Sequence, residues 1–571
     1  MRIALSLLVW LALAGSCFAI DRNAFTFTNY DLDLRVEPEQ QRLGVRGKVT
    51  LRNDAATPQK IAVLQISSSL DWRSIQAQGN PVQFISQSYT SDVDHTGALS
   101  EAIVTLPQLV PPKGTVDLDI GYEGTIPLDT TRLQRIGVPE GEAKHTDWDQ
   151  ISPSFTAVRG LGYVVWYPVS MDSASLSEGS SLFETIGKWK TRELGATMRV
   201  DLCTLTIASS PIALMNDRTS EPKQEPGADR SGGRTMSCDQ HSFAPLGITV
   251  PGFTIARFES LDKNVLSIYY LAEEKSAAEN YAGLTDKLAP FFSLWFDQPR
   301  SRTKVVELPD PGAAPFESGT TLLTPFSSDS KLAELTLAHQ IAHAMFTSPR
   351  PWIDEGIAHF AQALWREHIS GRQAALDYMG IHRTALAEAE RLTTSEKNAE
   401  DEHSLLNSAD EEFYRSKAMF VWWMLRDMIG EAALRRALAA YRCDQDKSPS
   451  YLQNLTRTET KRDLSWFFND WVYKDRGLPD FRVISAYPRA LDSGGFMTTV
   501  TVENLGSAGA EVPITVDIEG GEVTKRLEVR AKASASIRIE SPSAPQGILV
   551  NDGSVPESDT NNNTFKLSVA R

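Results

Sequence analysis

The residues best placed to do chemistry lie in one stretch, 335–360, which reads LTLAHQIAHAMFTSPRPWIDEGIAHF. His339 and His343 stand four apart in an apolar run of helical period, so both imidazoles leave the same face of one helix, which is how zinc is gripped. Pro349 and Pro351 break that helix, and a second helical run opens at Trp352 and carries Glu355 back towards the histidines. Two histidines and a carboxylate leave a fourth position open, the arrangement of a catalytic rather than a structural zinc. In the pattern H-E-x-x-H the residue after the first histidine is a glutamate that works as general base. Here it is Gln340, whose carboxamide has no basic site near neutral pH.

Two neighbours are candidates to stand in. Asp354 adjoins Glu355 but projects about a third of a helical turn away, towards solvent or a helix-start role. His359 lies one turn past Glu355 on the same face and is the better substitute, as an extra ligand or a weak base; the plain alternative is packing against the first helix. For the site as a whole the alternative to a metal is a hydrogen-bonded cluster in which His339 donates to Glu355. The acidic run from Glu396 to Glu412 reads either as a solvated loop and helix face or as a cleft wall that attracts basic peptides.

These segments need a large scaffold. At 571 residues the chain exceeds what one hydrophobic core organises. A formal net charge of -16 argues against a nucleic-acid partner and gives no reason to expect adhesion to anionic membranes. Residues 1–19 carry Arg2, an apolar core and small residues at Ser16 to Ala19, the pattern of a secretory signal cleaved after Ala19. The run LAGSC ending at Cys17 departs from a lipid-anchoring site because its leucine is one position too far away. No later apolar run approaches the roughly 20 residues of a spanning helix. The expectation is an exported, soluble protein, periplasmic or secreted, in which Cys203 and Cys238, in strand-like segments around a polar loop, are free to pair. Cys443 would then be odd and buried at a helix end.

Along the chain, 22–258 alternates apolar and polar residues between turn signals and predicts an antiparallel β domain, with an exposed loop from Met215 to Asp239. Residues 260–480 predict a small sheet beside a mostly helical body. Residues 485–571 predict about seven short strands, a sandwich of immunoglobulin type. Its NDGSVPESDTNNN loop reads as a solvated hairpin rather than a calcium site. The fold class is therefore multidomain α+β.

Taken together, these motifs resemble the M1 aminopeptidases, zinc enzymes of the gluzincin group with a saddle-like β domain, a thermolysin-like catalytic domain and often a β sandwich behind it. His339, His343 and Glu355, in HQIAH and WIDEGIAHF, resemble the family's metal ligands. Tyr414 with Lys417 in YRSKAMFVWWMLRDMIG resembles its catalytic-tyrosine segment, FFNDWVYKDRGLPDF its closing signature, and AAPFESG its G-A-M-E-N strand. The resemblance implies one zinc ion on His339, His343 and Glu355, an oxyanion role for Tyr414, and a grip by Glu317 on a substrate's free amino terminus. A buried tyrosine at a helix start is the alternative for Tyr414. Three departures stand out: the spacer from His343 to Glu355 is shorter than the family's, Gln362 stands where a supporting glutamate is usual, and Gln340 replaces the base. In the family that base takes a proton from the attacking water and delivers it to the leaving amine. The implied protein is an exported M1-like zinc metallopeptidase homologue, catalytically impaired, that binds peptides or protein N termini in a zinc-containing cleft. The alternatives are an active aminopeptidase-type hydrolase with a substitute base, and a structural or adhesive β-domain protein without metal.

Overall fold

A computed structural model describes residues 20–179, 181–206, 211–217, 235–326, 330–396, 404–408 and 410–567. The expected signal segment with Cys17, residues 218–234 of the expected exposed loop, and residues 397–403 and 409 of the acidic run lie outside the described residues.

The chain begins as β structure because alternating residues of its long strands have one face to bury: in Phe25–Glu37, Tyr30, Leu32 and Leu34 point inward between exposed Asp31, Asp33 and Arg35. That strand sits inside a seven-stranded sheet, paired antiparallel with Arg42–Asn53 on one side. On the other side it runs parallel to Thr197–Thr206, so the expected antiparallel sheet contains one parallel pair. Such a pair requires a long crossover, and the connection here includes the helix α1, Ser181–Arg192. Thr197–Thr206 pairs antiparallel with Thr235–Phe243, placing Cys203 opposite Cys238. The two sulfurs are bonded. The exposed loop expected from Met215 to Asp239 is strand at both ends, Met215 closing Ile212–Met215 and residues 235–239 opening Thr235–Phe243, because each strand has a sheet neighbour to take its backbone hydrogen bonds.

From Glu259 a five-stranded sheet begins. Its three inner strands, Leu266–Tyr270, Thr303–Glu307 and Thr321–Thr324, are parallel. Its edge is β1, Phe316–Ser318, antiparallel to β2, Thr321–Thr324. Helix α2, Ser330–Met345, packs against this sheet, and α3, Pro351–Ser370, packs against α2 and against a wider π turn at Glu412–Lys417 that runs into α4, Ala418–Ile429. Both α2 and α3 are buried over most of their surface, and the alanines at 338, 342, 358 and 361 let neighbouring backbones approach.

The C-terminal residues form sheets of three and four strands around Val500, Val502, Val512, Ile514, Val516 and Ile548. Their core is continuous with that of the helical body. Arg526 and Arg372 both reach Asp427 at the end of α4, at 3.1 and 2.7 Å. The loop expected to be a solvated hairpin is instead buried over 553–557. Its Glu557 accepts from Phe481 N at 2.8 Å and from Asn563 Nδ2 at 2.8 Å, filling polar positions that water would otherwise occupy. Cys443 is half-buried at the start of a 3-10 turn.

One glycine sets the distance between α3 and α4. A Cβ on Gly356 would lie 2.6 Å from Ala418 Cβ and 3.1 Å from Trp422 Nε1, closer than van der Waals contact allows. Gly356→Ala gains about 1 kcal/mol of helix propensity and loses more to overpacking, about 1–3 kcal/mol. Because the clash is with a Cβ fixed to its backbone, the expected outcome is a lower thermal midpoint by tryptophan fluorescence; an unchanged or raised midpoint would contradict this packing.

Candidate metal centre

Three elements deliver the donors. Residue spacing on α2 stacks His339 and His343, each 4% exposed, and brings their Nε2 atoms to 3.1 Å. After a short connection at 346–350, Pro351 opens α3 with its φ already helical. In its first turn Asp354 accepts a hydrogen bond from Ser348 N at 2.8 Å, tying down the connection. The next residue, Glu355, presents one oxygen at 3.7 Å from His339 Nε2 and the other at 3.7 Å from His343 Nε2. From the sheet edge, β1 brings Glu317, with Oε1 at 3.0 Å from His339 Nε2 and 3.8 Å from His343 Nε2.

These separations fit a metal ion. Bonds of 2.0–2.1 Å to zinc put tetrahedral donors about 3.3–3.4 Å apart, and the five distances run from 3.0 to 3.8 Å. Imidazole nitrogen and carboxylate oxygen are donors that zinc accepts. Donor atoms of Glu317, His339 and His343 all lie within 4.8 Å of one another, as do those of His339, Glu355 and His359, so the two sets share His339. Behind His343, Asp354 Oδ2 faces Nδ1 at 3.9 Å, on the side where a ligating histidine is usually supported by a carboxylate. Asp354 is only 6% exposed, which rules out the solvent-facing reading and keeps the helix-start one.

The charges around the donors are balanced in a chain. Arg415 Nε donates to Glu355 Oε2 at 3.2 Å and its Nη1 to Glu411 at 3.0 Å. Lys190 of α1 stands 3.6 Å from Glu411. Burial, the largest influence on Glu355, pushes its carboxyl up, but Arg415, His343 and His339 together outweigh it and hold it at about 2. His339 is pushed down by burial and raised further by Glu317 and Glu355, with a net rise. His359 is held neutral by burial and then by His339, Arg415 and His382. Its ring lies edge-on to His339 with centroids 4.8 Å apart, and its Nδ1 has no hydrogen-bond partner among the described residues.

At the position expected to carry the base, Gln340, 1% exposed, donates from Nε2 to Glu317 Oε1, while its own Oε1 is buried without a partner among the described residues. Gln362 donates to Leu335 O at 3.0 Å and accepts from Tyr378 at 2.8 Å, with no bond to either histidine among the described residues. Tyr414 is buried, and its hydroxyl donates to Glu411 at 3.1 Å. Arg415, one residue later, is the group that reaches a metal-site side chain. An ordinary helical phase does not reveal this, because Glu412–Lys417 is a π turn, and the only sequence signal is a cation set between Glu411 and Lys417. Lys417 is fully buried between Glu390 and Asp475, which fixes the end of that turn.

A cleft of about 1590 Å³ opens over the site, and Tyr163, Leu182 and Lys190 line it together with Glu317, Gln340, Glu355 and Tyr414.

Arg415→Met would leave Glu355 buried without its cation, at an expected cost of about 3–5 kcal/mol in metal-free protein at pH 7. The stability that Glu355 contributes is complete above the usual carboxylate range and is lost as pH falls towards about 2, since the unfolded chain takes up the proton first. Urea titrations from pH 7 to pH 3 should therefore show wild type and variant converging in acid; parallel curves would show that Arg415 does not govern Glu355.

No family model matches the sequence, and no curated protein does. Among solved structures the chain is similar to the crystal structure of M1 zinc metallopeptidase from Deinococcus radiodurans, at 17% identity and a TM-score of 0.48, over 79% of this chain and 95% of that one.

Proposed function

We propose that this chain is an exported zinc metallopeptidase homologue of the M1 type that has lost peptide turnover and holds peptides or protein N termini in its zinc-containing cleft. The observation that carries the reading is the convergence of His339, His343 and Glu355 at metal-scale separations, with a carboxamide, Gln340, where a base would stand. His339, His343 and Glu355 would hold the ion. Where a coordination position is open, bound zinc supplies charge that polarises a carbonyl and lowers the pKa of a water.

The chain's own residues then decide between binding and turnover. Gln340 can donate or accept a hydrogen bond but cannot take a proton and return it. General acid or base work is worth about a hundred- to ten-thousand-fold for each transfer, and one residue would have performed both transfers. Tyr414 spends its hydroxyl on Glu411, and Arg415 supplies the cation nearest to Glu355. The cleft exceeds the roughly 300–1,000 Å³ of small-molecule pockets, which suits an extended peptide. Export is supported by the Cys203–Cys238 bond, which persists in oxidising compartments. Among the described residues no helix is long and apolar enough to cross a membrane.

A second reading, active hydrolysis with a substitute base, is favoured by one observation: His359 is held neutral beside His339 with Nδ1 unpartnered among the described residues. The two readings separate in one experiment on protein purified without chelators. The expected result is about one zinc per chain by elemental analysis and no release of amino acids from chromogenic aminoacyl substrates. Chelator-sensitive release would favour His359 as a working base, and protein without zinc would overturn both metal readings.

A further inference from the structure

Resting on the zinc reading, we infer that Glu317 is a fourth protein ligand that closes the metal site, so that no coordination position is left for water or a substrate, and that Gln340 is the neutral donor that holds Glu317 there.

The placement of Glu317 is tightly determined. It lies on a three-residue edge strand opposite Leu322 of β2. Its neighbours are fixed on either side: Phe316 packs edge-on against Tyr163 with centroids 5.4 Å apart, and Ser318 Oγ accepts from Val250 N at 3.0 Å and donates to Val250 O at 3.0 Å. Strand alternation then turns Glu317 the opposite way, towards the histidines. Its Oε1 is nearer to His339 Nε2, at 3.0 Å, than either oxygen of Glu355, at 3.7 Å.

Gln340 completes the arrangement. Its Nε2 donates to the same Oε1 of Glu317 that faces the histidines, and an oxygen of a carboxylate has lone pairs enough for both a donor and a metal. A glutamate at 340 would set a second carboxylate against Glu317 and repel it. Gln340 is then more than an absent base; it is the residue type that a closed site requires.

The test replaces zinc with cobalt(II) in the full chain and follows the visible spectrum with azide as the probe. Azide binds only where a coordination position is open. Wild type should take up cobalt and show no azide-induced shift. Glu317→Ala opens the position and should show the shift, and Gln340→Glu, which expels Glu317 by repulsion, should show it too. A shift in wild type as large as in Glu317→Ala would overturn the assignment of Glu317 while leaving the zinc reading intact. The absence of cobalt and zinc from wild type would overturn both. Should Glu317→Ala fail to fold, the wild-type response and Gln340→Glu still decide the matter, since a Gln340→Glu spectrum identical to wild type and blind to azide would refute the role of Gln340.

Discussion

Two carboxylates and two imidazoles converge on one largely buried point in the wall of a cleft, and the structure around them is arranged to satisfy that constraint. Glu355 and Glu317 bring negative charge to the same pair of Nε2 atoms from opposite elements. Burial alone would favour protonating Glu355. Arg415 offsets part of the charge at Glu355, and a divalent cation between the donors would offset the rest. Without either, the desolvation of the carboxylates would outweigh any contact they make.

The scaffold serves that point at each level. Helical spacing sets the two histidines one turn apart, the proline-opened α3 returns Glu355 within a short connection, and the sheet edge projects Glu317. Gly356 lets α3 touch α4 closely enough for the π turn to carry Arg415 to Glu355. From Arg415 the charges run through Glu411 to Lys190 of α1, so the β-rich N-terminal region contributes to the electrostatics of a site built by the helical body.

How much of this was legible depended on distance along the chain. His339, His343 and Glu355 could be read because helical periodicity fixes which residues share a face, and the carboxamide at Gln340 is a matter of residue type alone. The role of Arg415 could not be read, because a π turn shifts the phase by which Tyr414 and its neighbour would be assigned. From its angle on the helix Asp354 could face solvent or serve the helix start, and the backbone N–H of Ser348, six residues earlier, decides for the helix start. The NDGSVPESDTNNN loop looked solvated from composition, but its buried Glu557 accepts from Asn563 of the loop and from the backbone of Phe481, a residue far away in sequence. The parallel pairing of Phe25–Glu37 with Thr197–Thr206 joins strands too far apart in sequence for local pattern to reveal. Cys203 and Cys238 could be seen as an opportunity, and strand register made them directly opposite.

The central claim is that His339, His343 and Glu355 form a metal site and not a hydrogen-bonded relic. Anomalous diffraction at the zinc absorption edge, from crystals grown without chelator, tests it most directly. A peak within bonding distance of both Nε2 atoms and a Glu355 oxygen is predicted. A clean map with no such peak, the His339 ring donating to a carboxylate in its place, would contradict it.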